Sequence, residues 1–147
     1  MKKIVCLCVI LTLCVYCFSQ NHTHVRSDRF TSDGKKIENF AELDVKPNFQ
    51  GGEAALLNYL KENIVYPAEQ KEKGIEGKVM IRFNIDEYGK IIDVESMTKE
   101  VDPALQREAI RVVSSMPDWT PGELNGKKVV TSFVVPINFR IPKEDNK

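Results

Sequence analysis

The stretch Val129-Val-Thr-Ser-Phe-Val-Val-Pro-Ile-Asn-Phe-Arg-Ile141 constrains this chain more than any other part of it. Val129, Thr131, Phe133, Val135, Ile137, Phe139 and Ile141 alternate with positions that include Ser132, Pro136, Asn138 and Arg140. A period of two sorts side chains onto opposite faces of an extended strand, one for a core and one for water. Pro136 lies in the middle, with no N–H to give a ladder, which predicts a strand at the edge of its sheet. Such an edge leaves a row of backbone groups unpaired, and a second chain can dock there by adding a strand.

The rest of the chain must cover the apolar face of that strand. Ala55/Leu56, Tyr59/Leu60 and Asn63 recur at helical spacing and predict a helix from Glu53 to about Asn63, after the turn-rich entry Asp44–Gly52. Pro67 opens a short, polar second helix that stops at Gly74. Gly77 leads into a strand with Val79, Ile81, Phe83 and Ile85 inward, and Lys90 to Met97 returns from it. Asp86-Glu-Tyr-Gly89 between them suits a type I turn, so the pair reads as a hairpin. Asp102-Pro103 starts a helix whose stripe is Leu105, Ala109, Val112, Val113 and Met116, and Pro117 ends it. Trp119 is expected to pack on the sheet or on the Met116-Pro117 corner. Two turns, at Trp119–Gly122 and Asn125-Gly126, lead into the final strand. That strand follows a helical crossover and must insert beside one hairpin strand. The predicted fold is α+β: a small antiparallel three-stranded sheet with helices packed on one face.

At 147 residues the chain holds one domain with additions. Lys2 and Lys3 precede a 15-residue apolar run, Ile4–Phe18, that ends at Cys17-Phe-Ser19, a small-x-small site. This describes a secretory leader over residues 1–19, cut before Gln20. The run is shorter than the roughly 20 residues a spanning helix needs; a retained inner-membrane anchor is the alternative. Leu13 before Cys14 and Tyr16 before Cys17 argue against a lipoprotein. All four cysteines (Cys6, Cys8, Cys14, Cys17) lie in the leader, so export here implies no disulfide. Residues 20–43 read as a flexible polar tail, 44–142 as the folded domain and 143–147 as a second tail. A free Gln20-Asn21-His22 end could wrap Cu(II) or Ni(II) in a square plane, but a solvated tail is the better reading.

The 21 basic and 21 acidic residues balance, which gives no footprint for nucleic acid. Between Asp44 and Ile141 there is no histidine and no cysteine. That removes Cys–His and Ser–His nucleophiles, histidine metal sites and imidazole acid–base work. There is no glycine-rich phosphate loop after a strand. Only paired carboxylates remain, as in a glycosidase, and Glu53, Glu62, Glu69, Glu72 and Glu108 fall mostly on helix faces that water should cover. The chain is not expected to be an enzyme or to hold a cofactor.

In order and spacing, several segments together resemble the C-terminal domain of TonB, the periplasmic energy transducer. They are Tyr66-Pro67, Gly74-Ile-Glu-Gly77 running into Val79, Ile81 and Phe83, Asp86-x-x-Gly89, and Leu105-x-x-Glu108-Ala109-x-Arg111-Val112. They continue with Met116-Pro117-x-Trp119-x-Pro121-Gly122, Asn125-Gly126 and the closing strand. Pro47-x-Phe49-x-Gly51-Gly52-Glu53-x-Ala55-Leu56 and Asn63 are similar to the extension of Bacteroidetes-type members. The likeness spans about residues 44–141. Gln70 stands where the family usually has Ala, and Gln50 where Pro is usual. TonB also has a membrane anchor and a long proline-rich spacer, whereas Gln20–Lys46 contains no proline.

The resemblance implies a periplasmic domain that takes part in transport by binding the N-terminal box peptide of outer-membrane transporters. The peptide would add to the last strand at Val129, Val130, Thr131, Ser132, Phe133, Val134, Val135, Ile137 and Phe139. The approach segment would supply Asn63, Val65 and Tyr66. A stand-alone adaptor for another envelope protein would use the same edge, and so would a homodimer.

Overall fold

The computed structural model describes residues 30–142; the leader, the Gln20–His22 end and residues 143–147 lie outside them. In chain order the elements are β1 (Ile37–Glu38), a 3₁₀ turn (Phe40–Glu42), α1 (Gly52–Asn63), α2 (Ala68–Glu72), β2 (Gly77–Ile85) and β3 (Ile91–Ser96). They continue with α3 (Pro103–Ser114), β4 (Gly122–Leu124) and β5 (Lys127–Phe139). Asp102 caps α3 by accepting the Ala104 N–H, with Pro103 at the first position, as its sequence predicts. Gly74 closes α2 with φ +68°.

The sheet runs β1-β5-β2-β3, with β4 also paired to β5. The long antiparallel ladder between β2 and β5 sets Val79 opposite Ile137, Ile81 opposite Val135, Phe83 opposite Phe133 and Ile85 opposite Thr131. These odd positions form the inner face. On it lie Leu56 and Leu60 of α1 and Leu105, Ala109, Val112 and Val113 of α3, in one continuous core. The fold class is therefore α+β, as the alternation and helical stripes predict.

The strand count differs from the expected three. β4 forms a hairpin with β5 across Asn125-Gly126, both at positive φ, a turn suited to a two-residue loop. β1 comes from the segment expected as a polar tail and pairs in parallel, Ile37 with Val130 and Glu38 with Thr131, so the sheet is mixed. From Phe30 onward that segment lies against the domain: the Ser32 N–H donates to Asp93, and the Lys35 ammonium to Glu87. Neither strand is long enough to show a period of two, so pattern alone cannot find it.

Trp119 packs into the core beneath the sheet, edge-on to Phe49 and Phe83 at 5.5 Å and tilted against Phe133 at 5.1 Å. Its backbone N–H donates to the Gly89 carbonyl at 2.7 Å, which pins the hairpin turn to the segment after α3. Gly89 has φ +88°, and a Cβ there would lie 1.9 Å from the Trp119 carbonyl oxygen, so only glycine fits. Gln50 donates its side-chain N–H to the Asp118 carbonyl and fastens the entry to α1 on the same segment.

Candidate functional site

Which backbone groups of β5 are free follows from one residue of β2. The Met80 N–H donates to Thr98 Oγ1, and its carbonyl accepts from the Met97 N–H, so both groups turn toward the β3 side. Met80 stands opposite Pro136. In an antiparallel pair, such a position is one where both residues point away from each other. Pro136 therefore faces the flank of β5 remote from β2, and by alternation so do Val134 and Asn138. The odd residues Phe133, Val135, Ile137 and Phe139 turn their backbone groups to β2 instead. The proline sits where β2 does not need its missing N–H.

That remote flank is only partly open. Val130 and Thr131 are paired there with β1, whereas Val129, an odd position, turns its backbone groups to Gly122 of β4 on the flank that β2 occupies further along. In the strict sense β5 is not the outermost strand, which corrects the expected edge: Val129, Val130 and Thr131 are closed. Beyond Ser132, whose N–H the parallel register turns to the Glu38 carbonyl, no strand lies on this flank as far as Phe139 among the described residues. Phe133, Val135, Ile137 and Phe139 contribute their side chains to the core. Val134 keeps 39 % of its surface exposed.

Beside the open flank runs a groove of about 450 Å³. Phe133, Val134, Val135 and Pro136 form its β5 side, Leu56 and Leu57 of α1 the opposite wall, and Phe40 and Pro47 further lining. Leu57 is 60 % exposed, an apolar side chain in water on the groove wall. Sequence reasoning missed Phe40, Pro47 and Leu57. Leu57 could have been found, because it falls off the Leu56/Leu60 stripe of an otherwise amphipathic helix.

The approach segment is placed differently from expectation. The Asn63 side chain donates to the Tyr59 carbonyl, and its own carbonyl accepts from Arg111 at 2.7 Å. The Val65 N–H donates to Glu108 Oε1 at 2.7 Å. The Arg111 guanidinium beside it, and then this N–H, hold the Glu108 carboxyl below its usual range against the opposing effect of burial. Both residues are thus committed to α3, and neither lines the groove. Tyr66 does reach β5: its ring stands edge-on to Phe139 at 5.6 Å, and its hydroxyl donates to the Ile75 carbonyl.

The sheet's other border, β3, is built differently. Its ladder to β2 shifts register between Arg82 and Asn84, and Asp93 there has φ +52°. A bulge of this kind spoils the regular spacing that a docking strand would need. The flank at Ser132–Phe139 has no such defect.

Among the described residues no group of histidine, cysteine, aspartate or glutamate could hold a metal ion, and no helix is long and apolar enough to cross a membrane. Residues 62–141 match the family described as Gram-negative bacterial TonB protein C-terminal. Among the similar solved structures are two NMR solution structures of the Helicobacter pylori TonB C-terminal domain. The one spanning its residues 179–285 has 18% identity and a TM-score of 0.47, covering 60% of this chain and 79% of that one. The other, residues 194–285, has 20% identity and a TM-score of 0.49, covering 62% and 95%. No curated protein matches the chain.

Proposed function

This chain belongs to the Gram-negative bacterial TonB protein C-terminal family, a family of interaction domains and not of enzymes, and from that premise we propose that it is a periplasmic docking domain for outer-membrane transporters. An extended transporter segment adds as a strand to β5 along Ser132–Phe139, with alternate side chains entering the groove below α1. In this reading the protein is exported by its leader and takes part in TonB-dependent transport.

The observation that carries the reading is the free flank itself. Val134 and Asn138 offer N–H and carbonyl groups there, and Pro136 offers its carbonyl. About five ladder hydrogen bonds at about 0.5–1.5 kcal/mol each give roughly 2.5–7.5 kcal/mol. Association costs about 4–15 kcal/mol, so the ladder alone does not hold a partner. One or two aliphatic side chains against Leu57 and Phe133, at about 1.5–3 kcal/mol each when fully buried, tip the balance. The complex is then weak, with a dissociation constant between about 1 μM and 1 mM. A coupler that must release its partner needs such a range.

The test is a titration of isotope-labelled protein with box peptides from a panel of transporters. Amide shifts are expected at Val134 and Asn138 and at Leu57 across the groove. Shifts confined to β3 or to the Val65–Arg111 region would overturn the reading. Binding at β5 by peptides from other envelope proteins alone would make the chain an adaptor.

A further inference from the structure

One occupant already sits on the docking flank, and it belongs to this chain. Ile37 and Glu38 add to β5 in parallel at Val130 and Thr131, immediately beside the open stretch. The segment then turns away: Asn39 accepts the Ala41 N–H and starts the 3₁₀ turn at Phe40. The Phe40 ring stands 6.1 Å from Phe133, with Lys46 Nζ 5.3 Å above it, and lines the groove that a partner's side chains would enter. This is strand addition in cis, on the same flank and with an aromatic side chain in the same groove.

The fastening is slight. β1 has two paired residues, whereas β2 has nine along the other side of β5. Ile37 and Glu38 are only half-buried. The ion pairs that steady the segment, Lys36–Glu38 and Lys35–Glu87, reach into solvent, where such pairs contribute little. Of the strands on β5, this is the one that a competitor can exchange.

We propose that Ile37–Phe40 is an internal competitor for the docking flank, released when a partner strand runs past Ser132 toward Val130. The proposal rests on the strand-addition reading above and assigns its regulation. The partner's apparent affinity is lowered by the fraction of molecules in which β1 is closed. By reciprocity, whatever draws the N-terminal segment off β5 strengthens the partner's hold, and a bound partner loosens the segment. Occupancy of the flank and freedom of Ile37–Phe40 are then two readings of one equilibrium.

The probe is an end-blocked peptide of about nine residues, alternating valine and threonine with a lysine at each end, long enough to cover Val130–Asn138. On saturation of the unmodified protein, the amide signals of Ile37, Glu38 and Phe40 are expected to move to unstructured positions, while those of Ile81 and Val135 stay. Glu38→Pro removes the N–H that the parallel register turns toward Val130. It is expected to tighten the peptide about fivefold, the factor for one ladder hydrogen bond. Ile37→Gly weakens β1 without a proline and should tighten binding in the same direction. Peptide bound with β1 signals unmoved, and no tightening in either variant, overturns the competitor while leaving docking intact. Peptide bound by none of the three proteins removes docking itself, and the competitor with it.

Discussion

Paired proline substitutions at Val134 and Val135 test the geometry of β5 most directly. The two positions are neighbours of the same residue type that differ in the direction of their backbone groups and in burial, Val135 lying in the core and Val134 partly in water. Val135 pairs with Ile81, which is fully buried, and turns its N–H to β2. Proline there deletes a ladder hydrogen bond and strands a carbonyl in the core, a loss of about 3 kcal/mol or more. At about 4 °C per kcal/mol for a domain of this size, the melting temperature should fall by roughly 12 °C. Val134 faces the open flank and is partly exposed, so proline there removes nothing the free protein uses. Its expected cost is about 0–1 kcal/mol, a fall of at most about 4 °C. Binding should respond the other way round. The Val134→Pro ring projects where a docking strand must approach and takes away a donor, weakening a β5-binding peptide about tenfold or more. Thermal melts by circular dichroism and a peptide titration give both numbers. Equal destabilisation by the two prolines would refute the alternation deduced from Met80. A stable Val134→Pro protein with undiminished binding would move the docking surface elsewhere.

Three other perturbations address separate parts of the structure. Gly89→Ala should cost about 2–4 kcal/mol in urea unfolding, since its Cβ would collide with the Trp119 carbonyl at a positive φ; a change below about 0.5 kcal/mol would refute that close approach. Leu57→Glu should leave stability within about 0.5 kcal/mol yet weaken peptide binding several-fold, and unchanged affinity would remove Leu57 from the recognition surface. The Glu108 carboxyl has a native pKa below its ordinary 4.5, so its contribution is complete above that value and disappears as pH falls through the lower native one. Stability curves of the unmodified protein and Glu108→Gln should therefore lie apart at pH 7 and draw together only as the pH falls below the ordinary carboxylate range; parallel curves down to acid pH would show that the Arg111–Glu108–Val65 linkage contributes nothing.

The long elements were legible because burial writes a period into them. Val79 to Ile85 and Val129 to Phe139 alternate, and Leu105, Ala109, Val112 and Val113 repeat at helical spacing, since each set has one side against the core. Trp119 was expected to pack inward and does. β1 and β4 left no such mark. Two or three residues cannot display a period, and Ile37 is the sole aliphatic residue of its strand. The open flank was foreseen from Pro136, but its limits were not. Which residues of β5 are closed depends on partners about 90 positions earlier in the chain and on a parallel pairing without a local turn signal. For the approach segment the family likeness pointed to Asn63 and Val65. The Asn63 carbonyl and the Val65 N–H are instead taken by Arg111 and Glu108 of α3, a long-range arrangement with no counterpart in local spacing, and the Asn63 amide by the Tyr59 carbonyl of its own helix. The groove was invisible for a related reason: Phe40, Pro47, Leu57 and Phe133 meet only once the fold is complete.

The bulge at Asp93 gives the sheet a valence. On the strand-addition proposal, with one border kinked and the other free over a single short run, the described residues offer one visiting strand a place and no second face from which to continue. The stoichiometry that proposal predicts stops at one to one, or at two if the visitor is another copy. A regular β3 would have left the molecule two-ended, able to string itself into polymers as its concentration rose.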